Sequence, residues 1–113
     1  MAAAPLTPVE LQILLALASE SRHGYGIKLD IEDRTDGAMK LGSGTLYEAI
    51  QRMHRNGWME AADSPTDDPA NSRRKYYMLT REGRKRLRDD LTSMRGIVED
   101  AVAMDLLAES RFA

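Results

Sequence analysis

The sequence predicts a mainly α chain of the α+β class, in which three short helices, a β-hairpin and one long terminal helix follow one another. Three observations predict it. Apolar residues recur at helical spacing in three runs before residue 57, separated by glycine-containing breaks. Two short, β-favouring segments then flank a loop rich in Asp, Pro, Ser and Asn at residues 63–72. From Thr80 onward, apolar residues keep a 4-3-4-3 spacing.

Thr7-Pro8-Val9-Glu10 is a capping box with proline at the first helical position, and it opens a helix over about residues 8–20. Leu11, Ile13, Leu14, Leu15, Leu17 and Ala18 make that helix apolar on more than one side, so burial from two directions is expected, by its own core and by a second body. Ser21-Arg22-His23-Gly24 breaks the pattern. A second helix follows over about residues 24–35, with Ile27 and Ile31 inward and Tyr25 and Lys28 near its N-terminus, and Asp36-Gly37 closes it.

After a short link, residues 38–42, Ser43 is the expected N-cap of a third helix. Leu46, Ala49, Ile50 and Met53 form its core stripe, and Gly57 is the left-handed stop. Its other face carries Thr45, Glu48, Gln51, Arg52 and Arg55, with Tyr47 at the margin. Two short helices joined by a tight link, the second with a polar, cationic outer face, make a helix-turn-helix suited to a DNA major groove. Residues 58–62 and 73–79 read as two strands, the second with Lys75, Tyr77 and Leu79 on one side and opening on Arg73, Arg74 and Lys75. That hairpin is the wing of a winged helix-turn-helix, placed to reach the phosphate backbone beside the third helix. Thr80 caps a last helix over about residues 81–108, roughly 40 Å long. Leu87, Leu91, Met94, Val98 and Ala101 form its seam, widened by Ile97, Val102, Met104, Leu106 and Leu107. Such a helix needs a partner, and with the over-apolar first helix (Leu11, Leu14) it predicts a homodimer. Residues 1–80 are then the DNA-binding domain and residues 81–113 the dimerisation helix.

Composition narrows the function classes. The 113 residues contain no Cys, which excludes disulfides and thiolate metal sites and fits a reducing cytosol. The opening run has neither a basic n-region nor a long apolar h-region, so no signal peptide is expected, and no apolar run approaches a membrane span. A cytoplasmic protein with no membrane partner is the expectation. Net charge is −2, but it is unevenly spread: residues 1–72 hold 6 basic and 11 acidic residues, residues 73–88 hold 8 basic and only Glu82, and residues 89–113 hold 2 basic and 6 acidic. The cations form a localised patch rather than a general bias.

His23-Gly24-Tyr25, Gly44-Thr45-Leu46-Tyr47, Gly57, and Arg74-Lys75-Tyr76-Tyr77-Met78-Leu79-Thr80 with Gly83 occur in this order over about residues 10–90. In these pieces the chain resembles the PadR-like family of bacterial transcriptional regulators. The resemblance implies a dimeric repressor whose C-terminal helical region makes the dimer contacts, and the single terminal helix looks like the family's short branch. The chain departs from the family in having Asn71-Ser72 where Gly and Pro are common, and Glu48 where many members have proline. Asp67 and Asp68 would hold the loop tip off phosphates. Some short members bind flat aromatic ligands through aromatics on the last helix; this helix has none before Phe112, so that chemistry does not carry over.

The strongest DNA candidates are Arg73, Arg74 and Lys75, as phosphate contacts. Gln51 and Arg52 suit adenine and guanine edges, with Arg55 beside them. Ser43 and Thr45 sit at a helix N-terminus that attracts phosphate. Tyr25 and Tyr47 present hydroxyls, and Lys28 a cation, to the same backbone. His23 and His54 are the only histidines and lack the carboxylate cluster a metal would need, so no metal or cofactor is expected. Trp58 reads as core beneath the hairpin, and Met94 and Met104 as adaptable fillers at the seam. No nucleophile–base pair, Gly-rich phosphate loop or carboxylate dyad is present, which argues against an enzyme. The reading favoured is a ligand-responsive repressor, a homodimer on a palindromic double-stranded operator, with a small-molecule effector as a further partner. The alternative is a winged helix used as a protein–protein interaction module without DNA binding, supported by Glu48 and the net negative charge and opposed by the cationic strand.

Overall fold

The computed structural model describes residues 4–65 and 74–109. Arg73, the Asp67-Asp68 pair and Asn71-Ser72 lie outside the described residues, as does Phe112. Four helices and one three-stranded antiparallel sheet are found among the described residues: α1 (Pro8–Ala16), β1 (Arg22–His23), α2 (Gly24–Arg34), α3 (Ser43–Arg55), β2 (Met59–Ala62), β3 (Tyr76–Leu79) and α4 (Arg81–Ala103). The sheet order is β1-β3-β2, with Arg22 opposite Tyr77, and Met59 opposite Leu79. This is the winged helix-turn-helix expected, followed by a long C-terminal helix.

Local chemistry explains most boundaries. The Thr7 hydroxyl accepts from the Glu10 N–H at 3.2 Å while the Glu10 carboxylate accepts from the Thr7 N–H at 2.9 Å, closing the capping box. The Thr80 hydroxyl likewise accepts from the Gly83 N–H at 3.0 Å. At the end of α3, Gly57 has φ of 78°, and Trp58 N–H reaches the Met53 carbonyl at 3.0 Å, the left-handed stop the sequence implies.

Four boundaries differ from expectation. α1 ends at Ala16 instead of near residue 20, because the Arg22 Nε–H takes the Ala16 carbonyl at 2.7 Å and the chain turns away to pair as β1. β1 itself was not expected; two residues carry no periodicity to read. Gly42, not Ser43, is the N-cap of α3, with no side-chain capping bond, and Ser43 is the first helical residue. α4 stops at Ala103 instead of near residue 108: Asp105 takes φ of 60°, and Leu106 N–H closes onto the Ala101 carbonyl at 2.9 Å. Its 23 residues span about 35 Å. β3 begins at Tyr76, so Arg74 and Lys75 precede the ladder instead of forming part of it, and Tyr76 is as buried as Tyr77.

Ile13, Leu14, Ile27, Ile31, Leu46, Ile50, Met53 and Met59 are the fully buried centre, drawn from α1, α2, α3 and β2. This corrects part of the expected dimer surface. Leu14 is 0% exposed and Leu87 4%, so both are spent inside the protomer and have no face left for a partner. The second body that α1 needed on that side is α4 of its own chain, which places Leu87 in the core. Further along α4, Leu91, Met94, Ile97 and Val98 are exposed; Ala101 is half-buried, and so is Leu11 on α1.

α4 docks through backbone. A Cβ built on Gly83 would lie 1.8 Å from the Trp58 carbonyl oxygen, so only glycine lets the helix lie on the turn that ends α3. The Thr80 N–H donates to that same carbonyl at 3.2 Å, and the Arg86 guanidinium lies 5.0 Å from the Trp58 ring centroid. Trp58 is thus half-buried beneath α4. Backbone cannot step aside as a side-chain tip can, and overpacking a closed contact costs about 3 kcal/mol. Gly83→Ala should lose about that much stability by urea unfolding; an unchanged midpoint would show that the contact yields cheaply.

Candidate nucleic-acid interface

The surface that gathers the candidate residues is built by α3, the start of β3 and the first turn of α2. The core stripe of α3 turns Ser43, Gly44, Thr45, Tyr47, Glu48, Gln51, His54 and Arg55 outward. Lys75 stands at the edge of this face. With Gln51, His54, Arg55 and the side of Tyr77 it lines a hollow of about 210 Å³. A second hollow, of about 300 Å³, is lined by His23, Gly24, Tyr25, Tyr47, Arg74 and Lys75. Lys75 belongs to both, so the entry to the wing strand bridges the outer face of α3 to the start of α2.

Tyr25 is 53% and Tyr47 48% exposed. The Tyr25 ring has the Arg74 guanidinium 5.9 Å and the Lys28 ammonium 6.0 Å from its centroid, an arrangement in which the ring's negative face holds both cations. Lys28 also pairs with Glu32 at 3.0 Å, one turn along α2, which neutralises much of what it offers an anion. The Lys75 ammonium lies 5.8 Å from the Tyr77 ring centroid. Burial, then the neighbouring Tyr47, raises the Tyr77 phenol above its ordinary 10.0, so it stays a protonated donor.

Arg52 is the clearest correction within the site. It is partly exposed, but its guanidinium is engaged away from Gln51. Its Nε pairs with the Glu10 carboxylate at 3.1 Å, across the contact of α3 with α1. Glu10 is the one buried charged residue among those described, and Arg52 is its counter-ion. Helical spacing puts position 52 near the margin of the polar face, and a single sequence does not show which margin residue finds a carboxylate behind it. His54 and His23 are the converse: both line the hollows, and neither was among the expected DNA contacts. His23 stands three residues before the Gly26 N–H that it caps, a spacing visible in sequence but weak, because histidine is not a preferred cap.

No group of three or more His, Cys, Asp or Glu gathers for a metal among the described residues, and none of the described helices is long and apolar enough to cross a membrane. What the surface presents is donors: Gln51, Arg55, Arg74, Lys75 and two tyrosines on one side of the domain. Donors flanking a protruding helix suit a phosphate-lined groove.

The sequence profile of the transcriptional regulator PadR-like family matches residues 13–89. The chain belongs to this family. Members of the family are transcriptional regulators, not enzymes. A PadR family transcription regulator from hypervirulent Clostridium difficile has the same fold at TM-score 0.72 and 26% identity, covering 87% of this chain and 98% of that one. Bacillus subtilis PadR, solved in complex with operator DNA, matches at TM-score 0.63 and 19% identity over 75% of this chain and 47% of that one. An uncharacterized protein of Lysinibacillus sphaericus is 32% identical over 72 residues, 64% of each chain, so this PadR-like chain spans just under two thirds of that relative's length.

The Glu10–Arg52 pair makes a prediction about pH. Burial pushes the Glu10 carboxyl up, but the Thr7 N–H, the Arg52 guanidinium and the Thr7 hydroxyl together hold it below its ordinary 4.5. A carboxyl depressed on folding stabilises the fold above 4.5 and loses that contribution as pH falls through its folded value. Glu10→Gln should therefore lose less of its stability than the wild type between about pH 5 and about pH 3. Parallel loss in both proteins, by denaturant titration at each pH, would mean the pair contributes nothing.

Proposed function

We propose that the chain is a ligand-responsive repressor that binds a palindromic operator as a homodimer, in the cytoplasm. The observation that carries DNA reading is the placement of Lys75 and Arg74 against the outward face of α3, where a helix in the major groove would bring phosphates. With Arg52 held by Glu10, base reading falls to Gln51, with Arg55 beside it, while Arg74, Lys75, Tyr25 and Tyr47 contact backbone. Ser43 and Thr45 stand in the first turn of α3, whose leading N–H groups suit a phosphate. Arg73, adjoining this group in sequence, extends the cationic run.

The homodimer is supported by α4. Leu91, Met94, Ile97 and Val98 are 38%, 38%, 67% and 49% exposed along one helix. Its charge is also polarised: residues 81–88 hold five basic and one acidic residue, residues 89–105 one basic and five acidic. Two copies laid antiparallel match opposite signs along their length while burying the apolar seam. Residues 1–80 then read DNA and residues 81–113 dimerise, although Gly83 and Leu87 pack into the reading body. Two reading helices follow about 34 Å apart, or a multiple of that. The effector reading is supported by a groove of about 740 Å³ between α1 and α4, walled by Leu15, Ala18, Leu87 and Leu91 and by Arg84, Arg88 and Arg95. It lies beside the seam, so a ligand there bears on the dimer geometry.

Operator selection from fragmented genomic DNA, followed by anisotropy titration, tests the DNA assignment. Replacing Arg74 and Lys75 together with Ala should weaken binding to all duplexes and flatten the salt slope by about two contacts. Gln51→Ala should instead lose about 1–3 kcal/mol on the selected site alone. Unchanged affinity and slope in the first variant would remove the interface from this face.

Leu91→Glu places a charge in the proposed seam. Light scattering should then give a monomer mass, with weak binding to half-sites only. A dimer of normal operator affinity would place the interface elsewhere and leave the groove without a route to the DNA.

A further inference from the structure

His23 holds two contacts that its ring cannot both satisfy. Its Nδ1 accepts the Gly26 N–H at 3.0 Å and so caps α2, while its Nε2 lies 2.9 Å from Nη1 of Arg74. A backbone N–H only donates, and so does a guanidinium; a neutral imidazole offers one donor and one acceptor. With Nδ1 accepting, the proton sits on Nε2 and faces the N–H of Arg74, donor against donor. The other tautomer would set a ring proton against the Gly26 N–H, which belongs to fixed backbone. Arg74 is exposed and precedes β3, so the conflict is relieved on its side. The ring does not turn away easily: Tyr76, 6% exposed, packs edge-on against it at 5.2 Å and 83°. Burial, then the Arg74 charge, lowers the His23 pKa from 6.5 and keeps the ring neutral.

Once the exposed Arg74 shifts off the Nε2 proton, the two neighbouring donors can share one acceptor between them. That acceptor position borders the hollow of about 300 Å³ which Tyr25, Tyr47 and Lys75 also line. Gly24 forms its floor: a Cβ there would come within 2.9 Å of the Tyr47 hydroxyl, so this glycine leaves the tyrosine lying over the start of α2. We propose that His23 contacts DNA directly, its Nε2–H and the Arg74 guanidinium sharing one backbone phosphate held over Gly24 between Tyr25 and Tyr47. The histidine is thus a neutral donor aimed by the cap it makes, and binding the phosphodiester removes the donor–donor conflict present in the free protein. This rests on the DNA-reading assignment of the same face.

His23→Asn separates the two roles. Asparagine is a preferred N-cap and can keep the Gly26 N–H, but it is too short to reach the hollow. The variant should unfold at the wild-type midpoint and bind operator and unrelated duplexes alike about fivefold to tenfold more weakly. Its salt slope should be unchanged, since no cation is lost. Phosphate ethylation should block wild-type binding at one position per half-site that no longer matters in the variant. Wild-type affinity in the Asn variant, or a loss confined to His23→Ala, would reduce His23 to a cap and overturn the contact while leaving the DNA assignment intact; a wild-type protein that bound no duplex would overturn both. Nitrogen NMR of the wild-type ring is independent of any variant: a proton on Nε2 whose resonance moves with DNA supports the contact, and a proton on Nδ1 or an unmoved ring overturns it.

Discussion

The carbonyl of Trp58 is where the two halves of this molecule are joined. It accepts the Thr80 N–H as the wing returns, and its oxygen lies where a side chain on Gly83 would begin. The Thr80 hydroxyl donates to the Gly57 carbonyl at 2.5 Å and accepts from the Gly83 N–H, so one threonine links the stop of α3 to the start of α4. Behind this joint, Arg86 spans the Trp58 ring, the Asp90 carboxylate and the Ala4 carbonyl, and Asp90 in turn accepts the Leu6 N–H at 2.7 Å. The exit of the reading helix, the root of the terminal helix and the segment leading into α1 are therefore tied by backbone contacts and short polar links, none of which can lengthen much without breaking.

A second constraint decides which side chains the reading helix can spend. A buried carboxylate without a counter-ion costs several kcal/mol, and Glu10 is needed at the capping box of α1. Arg52 supplies the counter-ion, fixing α3 against α1 but subtracting one cation from the outer face. Among the described residues, Arg55 and, at the wing entry, Arg74 and Lys75 are the cations that line the hollows of the proposed interface. This division suits a chain of net charge −2: positive charge is concentrated at the rim of one helix, where on the proposed reading it would position the protein on DNA without making the whole surface adhesive.

What was legible in sequence was whatever is decided within one turn of helix or one strand. The Thr7 box, the Thr80 cap, the Gly57 stop and the inward stripe of α3 all depend on neighbours three or four residues away, and all stand where periodicity puts them. The resemblance carried by short motifs led to the right family for the same reason. The features that were not legible depend on residues far off in the chain. α1 is cut short by Arg22 and the pairing of β1 with β3. Spacing alone makes Leu14 and Leu87 partner-facing, because nothing local shows that α4 folds back over α1. Arg52 pairs with Glu10, which lies 42 residues earlier in the chain and is not visible from the spacing of α3.

These constraints together determine how the proposed switch would have to work. The joint at Trp58 and Gly83 leaves α4 no freedom to swing about its root, and Leu87, one turn further on, is locked in the core. Only beyond Leu91 does the helix leave its own domain, since nearly every residue there is exposed. A ligand in the groove between α1 and α4 would therefore act on the packing of one α4 against its twin, not on the attachment of α4 to its own reading head. Each head would move as a rigid body with its helix. Because α4 extends about 35 Å from its root, a small rotation at the proposed seam would become a larger change in the distance between reading helices. A palindromic operator would sense that distance through its half-site spacing, and a ligand would shift the equilibrium by no more than the difference in its affinity for the two packings.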